Sequence, residues 1–292
     1  MRREQLLVNK MIFLNGQFIS QDKALVSIND RGFQLGDGIY EVIRCYKGRA
    51  FRLDEHIDRL LKSAEAIRLE LPYSRDELIE YVKELLVGVS WDYADIYIQA
   101  TRGSAPRTHE FPAKVSPTVV MYISQSQGVP ETTREKGITA IIVPDTRGTL
   151  CNIKSVNLLP NVLSRQAAVE AGADEALFER EGIGVVEGAA SNIFAVREGV
   201  LSTGPLSPYT LPGVTRDCVL QLAKSQGLPT ELRFHSRQEL LSASEVFITS
   251  TSKEVLAITD LAGYRIGNGR PGSITLKLAK DYRALVEREC GL

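Results

Sequence analysis

The sequence predicts an α+β fold with mostly antiparallel sheet. Short apolar segments separated by glycine turns mix with helical segments, without a strict strand–helix–strand rhythm. A chain of 292 residues is longer than a single hydrophobic core usually supports, so its length favours two domains. Because the stretch 125–131 is polar and contains glycine and proline, we expect it to link a small N-terminal domain, 1–124, to a larger C-terminal domain, 132–292.

Composition narrows the class of protein. Hydrophobic residues make up 43% of the chain and charged residues 24%, as in ordinary soluble globular proteins. A formal net charge of −1 argues against nucleic acid or an anionic membrane as a partner. Four cysteines without C-x-x-C spacing indicate free thiols in a reducing compartment and no zinc site. Since no apolar run could span a membrane or serve as a signal peptide, we expect a cytoplasmic protein.

Local signals mark the elements of the first half. Residues 1–10 are predicted to be a polar extension, and Asn15-Gly16 accepts the positive φ angles of a hairpin turn. Apolar residues at helical spacing indicate one helix, and Ser74 with Glu77 forms a capping-box signal for a second. The predicted strands are 11–14, 17–19, 39–46, 95–101 and 118–124, and the predicted helices are 53–69 and 74–87.

The second half is predicted to contain short strands, with turns at Glu181-Gly182 and Glu198-Gly199, and three helices. The predicted strands are 138–144, 174–180, 183–186, 193–196, 200–202 and the apolar run before 248–252, and the predicted helices are 161–171, 218–226 and 272–289. No fixed-period repeat is present.

A single cation, Lys154, stands in the mostly uncharged run 151–159, and a lone carboxylate, Glu187, precedes a run of small residues. Desolvation favours the neutral form of a lysine amine, and a neutral amine can form a Schiff base with an aldehyde. An amine together with a buried acid suits pyridoxal phosphate (PLP), because the acid keeps the pyridine nitrogen protonated. Taken alone, the two residues are more simply explained as a strand-edge lysine and a turn glutamate.

Three further cations have two explanations each. Arg59 falls on the far side of the apolar stripe of its helix, so periodicity alone favours a solvated position over a cleft. Arg107 and His109 lie two residues apart in a loop rich in glycine and proline, so in an extended segment they share a face. An arginine fork beside a histidine suits a carboxylate, although by itself the pair is better explained as a solvated loop with a spare charge.

Two segments have the composition of an anion site. Gly213-Val214-Thr215 leads into a predicted helix, whose N-terminus would present free N–H groups and the positive end of its dipole to a phosphate. The run 249–252 contains four hydroxyl residues in a row. Ordinary capping and turn chemistry explains both segments equally well.

Motifs along the whole chain match one family. They are Asp30-Arg31-Gly32 with Gly36-Asp37-Gly38-Ile39-Tyr40-Glu41, Glu55-His56-Ile57-Asp58-Arg59-Leu60, Thr101-Arg102-Gly103 with Pro106-Arg107-Thr108-His109, Ile153-Lys154-Ser155 with Asn157-Leu158, Glu187-Gly188 with Ser191-Asn192, Gly213-Val214-Thr215-Arg216, and Thr249-Ser250-Thr251. With these motifs the chain resembles the class IV aminotransferases, PLP enzymes of fold type IV, from about residue 11 to its end. Within the family it looks most like the members that act on D-amino acids.

The resemblance implies a cofactor, pyridoxal 5′-phosphate, between a small N-terminal and a larger C-terminal domain. Lys154 would bind it as a Schiff base and act as the catalytic base, and Glu187 would pair with the pyridinium nitrogen. The other implied cofactor-binding residues are Arg59, Val214, Thr215 and Thr251 at the phosphate and Leu211 against the ring.

The resemblance also implies a reaction and a substrate site. The reaction is ping-pong transamination, through pyridoxamine phosphate, between a D-amino acid such as D-alanine or D-glutamate and a 2-oxo acid such as 2-oxoglutarate or pyruvate. Tyr40, Arg107 and His109 match the family's grip on the substrate α-carboxylate, which sets the preferred enantiomer. Because that loop comes from the other subunit in the family, a homodimer is expected.

Three alternatives remain open at the level of sequence. A branched-chain L-amino-acid aminotransferase would need an apolar side-chain pocket and a different carboxylate anchor. An aminodeoxychorismate lyase would use the same lysine to eliminate pyruvate. A PLP-binding α+β protein without turnover is also compatible with Lys154 and Glu187 alone. The loop with Arg107 and His109 favours the D-specific reaction over the first two.

Overall fold

The computed structural model describes residues 11–292, so the predicted extension at 1–10 lies outside the described residues. The chain divides into two units. The N-terminal unit contains the residues up to Gln127, together with Ile153–Asn157 and Leu292, and the C-terminal unit contains Gly128–Asn152 and Leu158–Gly291. The segment with Lys154 thus packs with the N-terminal unit, although it follows the stretch 125–131 in sequence.

A six-stranded antiparallel sheet forms the N-terminal unit. Its strands are β1 (Met11–Leu14), β2 (Gln17–Ser20), β3 (Gly38–Tyr46), β4 (Arg49–Ala50), β5 (Tyr93–Thr101) and β6 (Thr118–Gln125). Its helices are the 3₁₀ turn Gln21–Lys23, α1 (Arg31–Leu35), α2 (Leu53–Ala66) and α3 (Arg75–Leu85). The strand order is β2-β1-β6-β5-β3-β4, and α2 and α3 cover one face with a core that includes Ile43, Ile57, Leu60, Leu78, Val82 and Ile96.

The local signals of this unit are confirmed, but both long helices end before their predicted limits, α3 at Leu85 and not at about 87. Asn15 and Gly16 have φ angles of 50° and 89° in the hairpin turn. Both hydrogen bonds of the capping box between Ser74 and Glu77 are present. Helix α2 ends three residues before the predicted 69, because Arg68 adopts a left-handed φ of 53° and the Leu69 N–H turns back to the Ala64 carbonyl.

A nine-stranded mixed sheet forms the C-terminal unit. Its strands are β7 (Ile138–Pro144), β8 (Glu175–Arg180), β9 (Gly184–Gly188), β10 (Asn192–Arg197), β11 (Val200–Thr203), β12 (Thr230–Leu232), β13 (Glu245–Ser250), β14 (Glu254–Leu261) and β15 (Tyr264–Arg265). The order is β12-β11-β10-β13-β14-β7-β8-β9, with β15 beside β14. Only the β7–β8, β7–β14 and β11–β12 pairs are parallel among the described strands, which confirms the predicted mostly antiparallel arrangement.

The helices of the C-terminal unit are α4 (Glu131–Lys136), α5 (Leu159–Glu170), α6 (Val214–Ser225), α7 (Arg237–Leu241) and α8 (Ser273–Cys290). Alternate residues of the strands form a core that includes Ile193, Val246, Ile248 and Ile258. A tight turn joins β9 to β10, and in it the Gly188 N–H donates to the Ser191 carbonyl at 2.7 Å. None of the helices described between residues 11 and 292 has the length and hydrophobicity needed to cross a bilayer.

Candidate active site

Lys154 lies in a short irregular segment beside the start of β3, at the centre of a tight turn in which the Ser155 N–H donates to the Ile153 carbonyl at 2.8 Å. Ser155 forms an antiparallel bridge with Ile39, and the Tyr40 N–H donates to the Lys154 carbonyl at 2.9 Å. The Lys154 side chain is partly buried on the same side as Tyr40, and its Nζ lies 4.2 Å from the centroid of the Tyr40 ring. Backbone pairing with β3 therefore fixes the lysine against an aromatic face.

A cavity of about 290 Å³ lies beside this segment. Ser155 and Asn157 line it together with His109 and Phe111, and Lys154 is not among the lining residues. The His109 of the same chain therefore faces a cavity to which the Lys154 side chain does not contribute.

Arg59 forms a buried ion pair with Glu41, which lies on β3 next to Tyr40. The Arg59 Nε and Nη2 donate to Glu41 Oε1 and Oε2 at 2.6 and 2.8 Å. Arg59 is only 8% exposed, so the solvated position favoured by periodicity alone is wrong. The reason is a buried counter-charge on β3, which lies 18 residues earlier in the chain and cannot be inferred from helical spacing.

His56 completes this cluster by contacting Glu41 Oε2 through Nδ1 at 2.8 Å. Burial would raise the pKa of Glu41, but the charge and hydrogen bonds of Arg59, with those of His56, hold it well below its usual range. Burial lowers the pKa of His56, and the charges of Arg59 and Lys154 act in the same direction against Glu41. A neutral imidazole therefore donates its Nδ1–H to an ionised carboxylate.

Tyr40 belongs to a row of stacked rings on the open face of the sheet. Its centroid lies 5.8 Å from that of Tyr97, which lies 5.1 Å from that of Tyr122. Burial raises the pKa of Tyr97 to about 12, assisted by the two neighbouring phenols. Tyr97 also donates to Gln99 Oε1 at 2.8 Å. The row holds the Tyr40 ring under the lysine.

Arg107 and His109 lie in the irregular segment between β5 and β6, and both side chains are exposed. The backbone of this loop is not loose. Arg31 donates to the carbonyl of Thr108 at 2.7 Å, and Arg102 stacks on the Phe111 ring with Cζ 3.7 Å from its centroid. The loop thus presents a cation and an imidazole to solvent from an anchored backbone.

In the C-terminal unit, Glu187 lies at the end of β9 and is 5% exposed. Its carboxylate contacts the Arg147 guanidinium and accepts the Leu211 N–H at 2.9 Å and Asn192 Nδ2 at 3.3 Å. Burial raises the pKa of Glu187, while the charge and hydrogen bond of Arg147 oppose that rise.

Arg147 is held on three sides. It binds Asp145 through Nε and Nη2 at 2.9 and 3.1 Å, and its Cζ lies 4.0 Å from the centroid of the Phe178 ring. Burial alone would lower the pKa of Arg147, but Asp145 and Glu187 raise it above its usual range. Arg180 Nη2 also binds Asp145, through Oδ2 at 3.0 Å. The negative charges of the two carboxylates and the positive charges of the two guanidinium groups therefore cancel.

The N-terminus of α6 is open to an anion. Gly213 precedes it in extended conformation, and no side chain within the described residues caps its first turn at Val214 and Thr215. A Cβ on Gly213 would lie 2.0 Å from Asn192 Oδ1, so the close approach of these elements needs glycine. On β13, the buried Thr249 Oγ1 has no hydrogen-bond partner among the described residues.

The structure thus groups the sequence-predicted residues within each unit. Lys154, Tyr40 and Arg59 converge on β3, and Asn192 links Glu187 to the Leu211–Gly213 turn. Sequence reasoning missed four supporting residues, which are Glu41, His56, Arg147 and Asn192. Glu41, His56 and Asn192 lie inside the matching motifs, so those motifs contained the signal.

Comparison with known proteins agrees with this geometry. Residues 38–261 match the family model of amino-transferase class IV. The chain therefore belongs to the class IV aminotransferases, and it is a PLP-dependent enzyme of fold type IV, as its motifs predict.

Relatives and solved structures agree on the family and differ in substrate. The chain is 42% identical over 276 residues to D-alanine aminotransferase of Staphylococcus epidermidis, covering 94% of this chain and 98% of the relative. It is 44% identical over 264 residues to that of Bacillus licheniformis, covering 90% and 93%. A T.th. branched-chain amino acid aminotransferase with pyridoxamine 5′-phosphate has a TM-score of 0.89 at 30% identity, covering 97% and 95%. That of Escherichia coli has a TM-score of 0.86 at 28%, covering 95% and 94%.

Proposed function

We propose that this aminotransferase moves the amino group between a D-amino acid, of the D-alanine or D-glutamate type, and a 2-oxo acid such as 2-oxoglutarate or pyruvate. The observation that supports it most is the 42% identity to a D-alanine aminotransferase over 94% of the chain. The branched-chain enzymes of similar fold are the alternative, at 30% identity.

A substrate comparison tests this proposal. The purified protein is loaded with PLP and assayed with 2-oxoglutarate and either D-alanine or L-leucine. We expect turnover with D-alanine, together with conversion of the cofactor to its amine form. Turnover with L-leucine alone would replace the proposal by a branched-chain L-specific reaction. Repeated release of pyruvate from aminodeoxychorismate, supplied in a separate assay without a 2-oxo acid, would indicate a lyase.

Lys154 fits the role of cofactor-binding and proton-transferring residue. Bound PLP supplies an aldehyde that condenses with amines and a ring that withdraws electrons from the substrate Cα. Within the described part of the N-terminal unit, no carboxylate pairs with the Lys154 amine, which faces the Tyr40 ring. The amine would hold the cofactor and then move the proton of the substrate Cα. Borohydride reduction and peptide mapping should label Lys154, and a label on another lysine would reject this role.

Glu187 fits the role of the carboxylate that pairs with the pyridine nitrogen of PLP. Its carboxylate is buried and already fixed by Arg147, Asn192 and the Leu211 N–H. Burial raises the pKa of Glu187, so a proton shared with a ring nitrogen would be stabilised there. Leu211, which is partly buried beside this carboxylate, would pack against the ring.

The phosphate would be bound by a cation and an uncapped helix end. Arg59 would supply the charge, while Glu41 fixes the orientation of its fork. The free N–H groups of Val214 and Thr215 at the start of α6, with the hydroxyl of Thr251, would complete the site. The Thr249 hydroxyl, near the end of β13, has no hydrogen-bond partner among the described residues. It supports the proposal that a phosphate oxygen accepts a hydrogen bond near this end of the strand.

The substrate carboxylate would be bound by Tyr40, Arg107 and His109, and the enzyme would be a homodimer. The exposed side chains of Arg107 and His109 support contact with a second subunit. A cavity that His109 and Ser155 of the same chain line, and that Lys154 does not line, also supports this. We infer a cytoplasmic location as well, because the spacing of the four cysteines in the sequence does not indicate a disulfide framework.

A further inference from the structure

We propose that Asp37 is a positioning residue, which bridges Arg31 and Arg102 and thereby holds the loop with Arg107 and His109 in its substrate-binding shape. We call these three residues, Asp37, Arg31 and Arg102, the Asp37 clamp. The inference rests on the proposed role of Arg107 and His109 in binding the substrate carboxylate, and it adds the group that makes this binding accurate.

Asp37 joins the two guanidinium groups through both of its oxygens. Its Oδ2 accepts from Arg31 Nε and from Arg102 Nε, each at 2.8 Å, and its Oδ1 accepts from Arg102 Nη2 at 3.0 Å. The side chains of Arg31, Arg102 and Asp37 are 3%, 7% and 14% exposed. Charge-assisted bonds between largely buried groups are stronger than surface ion pairs.

Arg31 connects the clamp to the middle of the loop. Its Nη1 donates to the Thr108 carbonyl at 2.7 Å, and its Nη2 lies 3.5 Å from the His109 carbonyl. These carbonyls belong to the peptide units between and just after the two proposed carboxylate-binding residues. The direction of the Arg31 fork therefore sets the direction of both side chains.

Arg102 fixes the clamp to the body of the unit. Its Nη1 and Nη2 donate to the carbonyls of Arg68 and Ile67 at 2.9 and 2.8 Å, where helix α2 has ended. Its guanidinium also stacks on the ring of Phe111, two residues beyond His109 in the loop. One carboxylate thus orients both guanidinium groups that hold the loop.

A second buried pair in the same sheet offers a matched control. Arg44 on β3 binds Asp95 on β5 at 2.6 and 3.3 Å, with side chains 3% and 22% exposed. This pair has the same chemistry and similar burial, but its other hydrogen bond is to the Gln127 carbonyl and not to the loop. Asp95→Asn should therefore cost stability as Asp37→Asn does, without changing the loop.

The test compares steady-state kinetics of the PLP-loaded variants Asp37→Asn, Asp95→Asn and Arg107→Ala with D-alanine and L-alanine. For Asp37→Asn we expect the KM for D-alanine to rise about tenfold to a hundredfold, because a misplacement of about 1 Å has effects of this size. The kcat should change less than about twofold if only binding is lost. The D-to-L preference should fall, and PLP affinity should not change. Asp95→Asn should show none of these kinetic effects.

Arg31→Lys serves as a second variant if Asp37→Asn does not fold. It keeps the charge and one contact to Asp37, but a lysine cannot bind Asp37 and the Thr108 carbonyl together. The same rise in KM is expected. An unchanged KM in a folded clamp variant, with a raised KM in Arg107→Ala, would overturn the clamp alone. An unchanged KM in Arg107→Ala would instead remove the proposed role of the loop.

Discussion

The carboxylate of Glu41 binds the Arg59 fork through both oxygens, at 2.6 and 2.8 Å, in a site where Glu41 is fully buried. The residue before this acid on the same strand is Tyr40, whose ring lies beneath Lys154. Strand β3 thus positions the proposed phosphate-binding cation through one side chain and the lysine through its neighbour.

This pair predicts the effect of Glu41→Gln. The change removes the negative charge that neutralises the buried Arg59 guanidinium, and breaking a buried ion pair typically costs about 3–5 kcal/mol. We expect that loss in the free energy of unfolding, measured with urea, and weaker PLP binding, measured by fluorescence quenching. Glu80→Gln, in the exposed pair with Lys83, is the control and should change neither quantity noticeably. Unchanged PLP affinity in a folded Glu41→Gln would refute the orienting role of Glu41.

Glu187→Gln should slow turnover without removing the cofactor. The amide cannot stabilise a proton on the ring nitrogen, and loss of one positioned proton-transfer group generally costs about 10²–10⁴ in rate. We expect kcat to fall by at least about a hundredfold, with PLP content unchanged by absorbance. Glu179→Gln on β8, which pairs with Arg237, should retain normal kcat. Normal turnover in Glu187→Gln would show that another group protonates the ring.

Subunit mixing tests the dimeric site. Lys154→Ala lacks the proton-transferring amine, and Arg107→Ala lacks a carboxylate-binding group that we assign to the partner's site. If the two variants exchange subunits randomly, half of the dimers are mixed and one of their two sites is intact, so about a quarter of the activity should return. Activity should be measured at low D-alanine, where both variants alone are weak. No recovery after proven subunit exchange would place Arg107 in the site of its own chain.

The burial of His235 leads us to expect that the free energy of unfolding falls at acidic pH. Its imidazole is fully buried, with Nε2 2.7 Å from Ser202 Oγ and Nδ1 unpartnered among the described residues. Burial lowers the pKa of His235 to about 4 from 6.5, and the charge of Arg233 adds to this effect. The unfolded chain therefore binds a proton between these two values while the folded chain does not.

It follows that the stability contributed by the neutral, buried His235 is fully present above pH 6.5 and is lost as the pH falls towards about 4. The loss amounts to about 3 kcal/mol in the free energy of unfolding. Urea unfolding at pH 7.5 and 4.5 should show a smaller pH dependence for His235→Asn than for the natural chain. His109→Asn, which alters an exposed imidazole, should keep the natural dependence. Equal pH dependence in His235→Asn and the natural chain would contradict this assignment.

Candidate site residues could be named from the sequence because two of them are unusual in their local sequence. Lys154 is the only charge in its run, and Glu187 is followed by small residues, so the sequence alone marks both as candidate reactive groups. Arg59 could not be placed by periodicity, because its partner Glu41 lies on another element. Motifs preserve such distant pairs, whereas helical spacing describes only one element at a time.

The end of α2 and the position of Ile153–Asn157 were harder to predict for the same reason. Helix α2 stops where Arg68 adopts a left-handed φ, which no glycine or proline announces. The Lys154 segment joins the N-terminal unit through backbone bonds to β3, and such pairing does not depend on side-chain pattern. The hairpin at Asn15-Gly16 and the capping box at Ser74 were predictable because their signals are local.

The amide of Asn192 restricts how this enzyme can be redesigned. It donates to the Leu211 carbonyl at 2.9 Å, reaches the Glu187 carboxylate, and leaves no room for a methyl group on Gly213. Substitutions at position 213 alone will therefore displace Asn192 and disturb both the Glu187 carboxylate and the N-terminus of α6. Engineering a different cofactor analogue into the protein therefore requires residues 192 and 213 to be randomised as a pair.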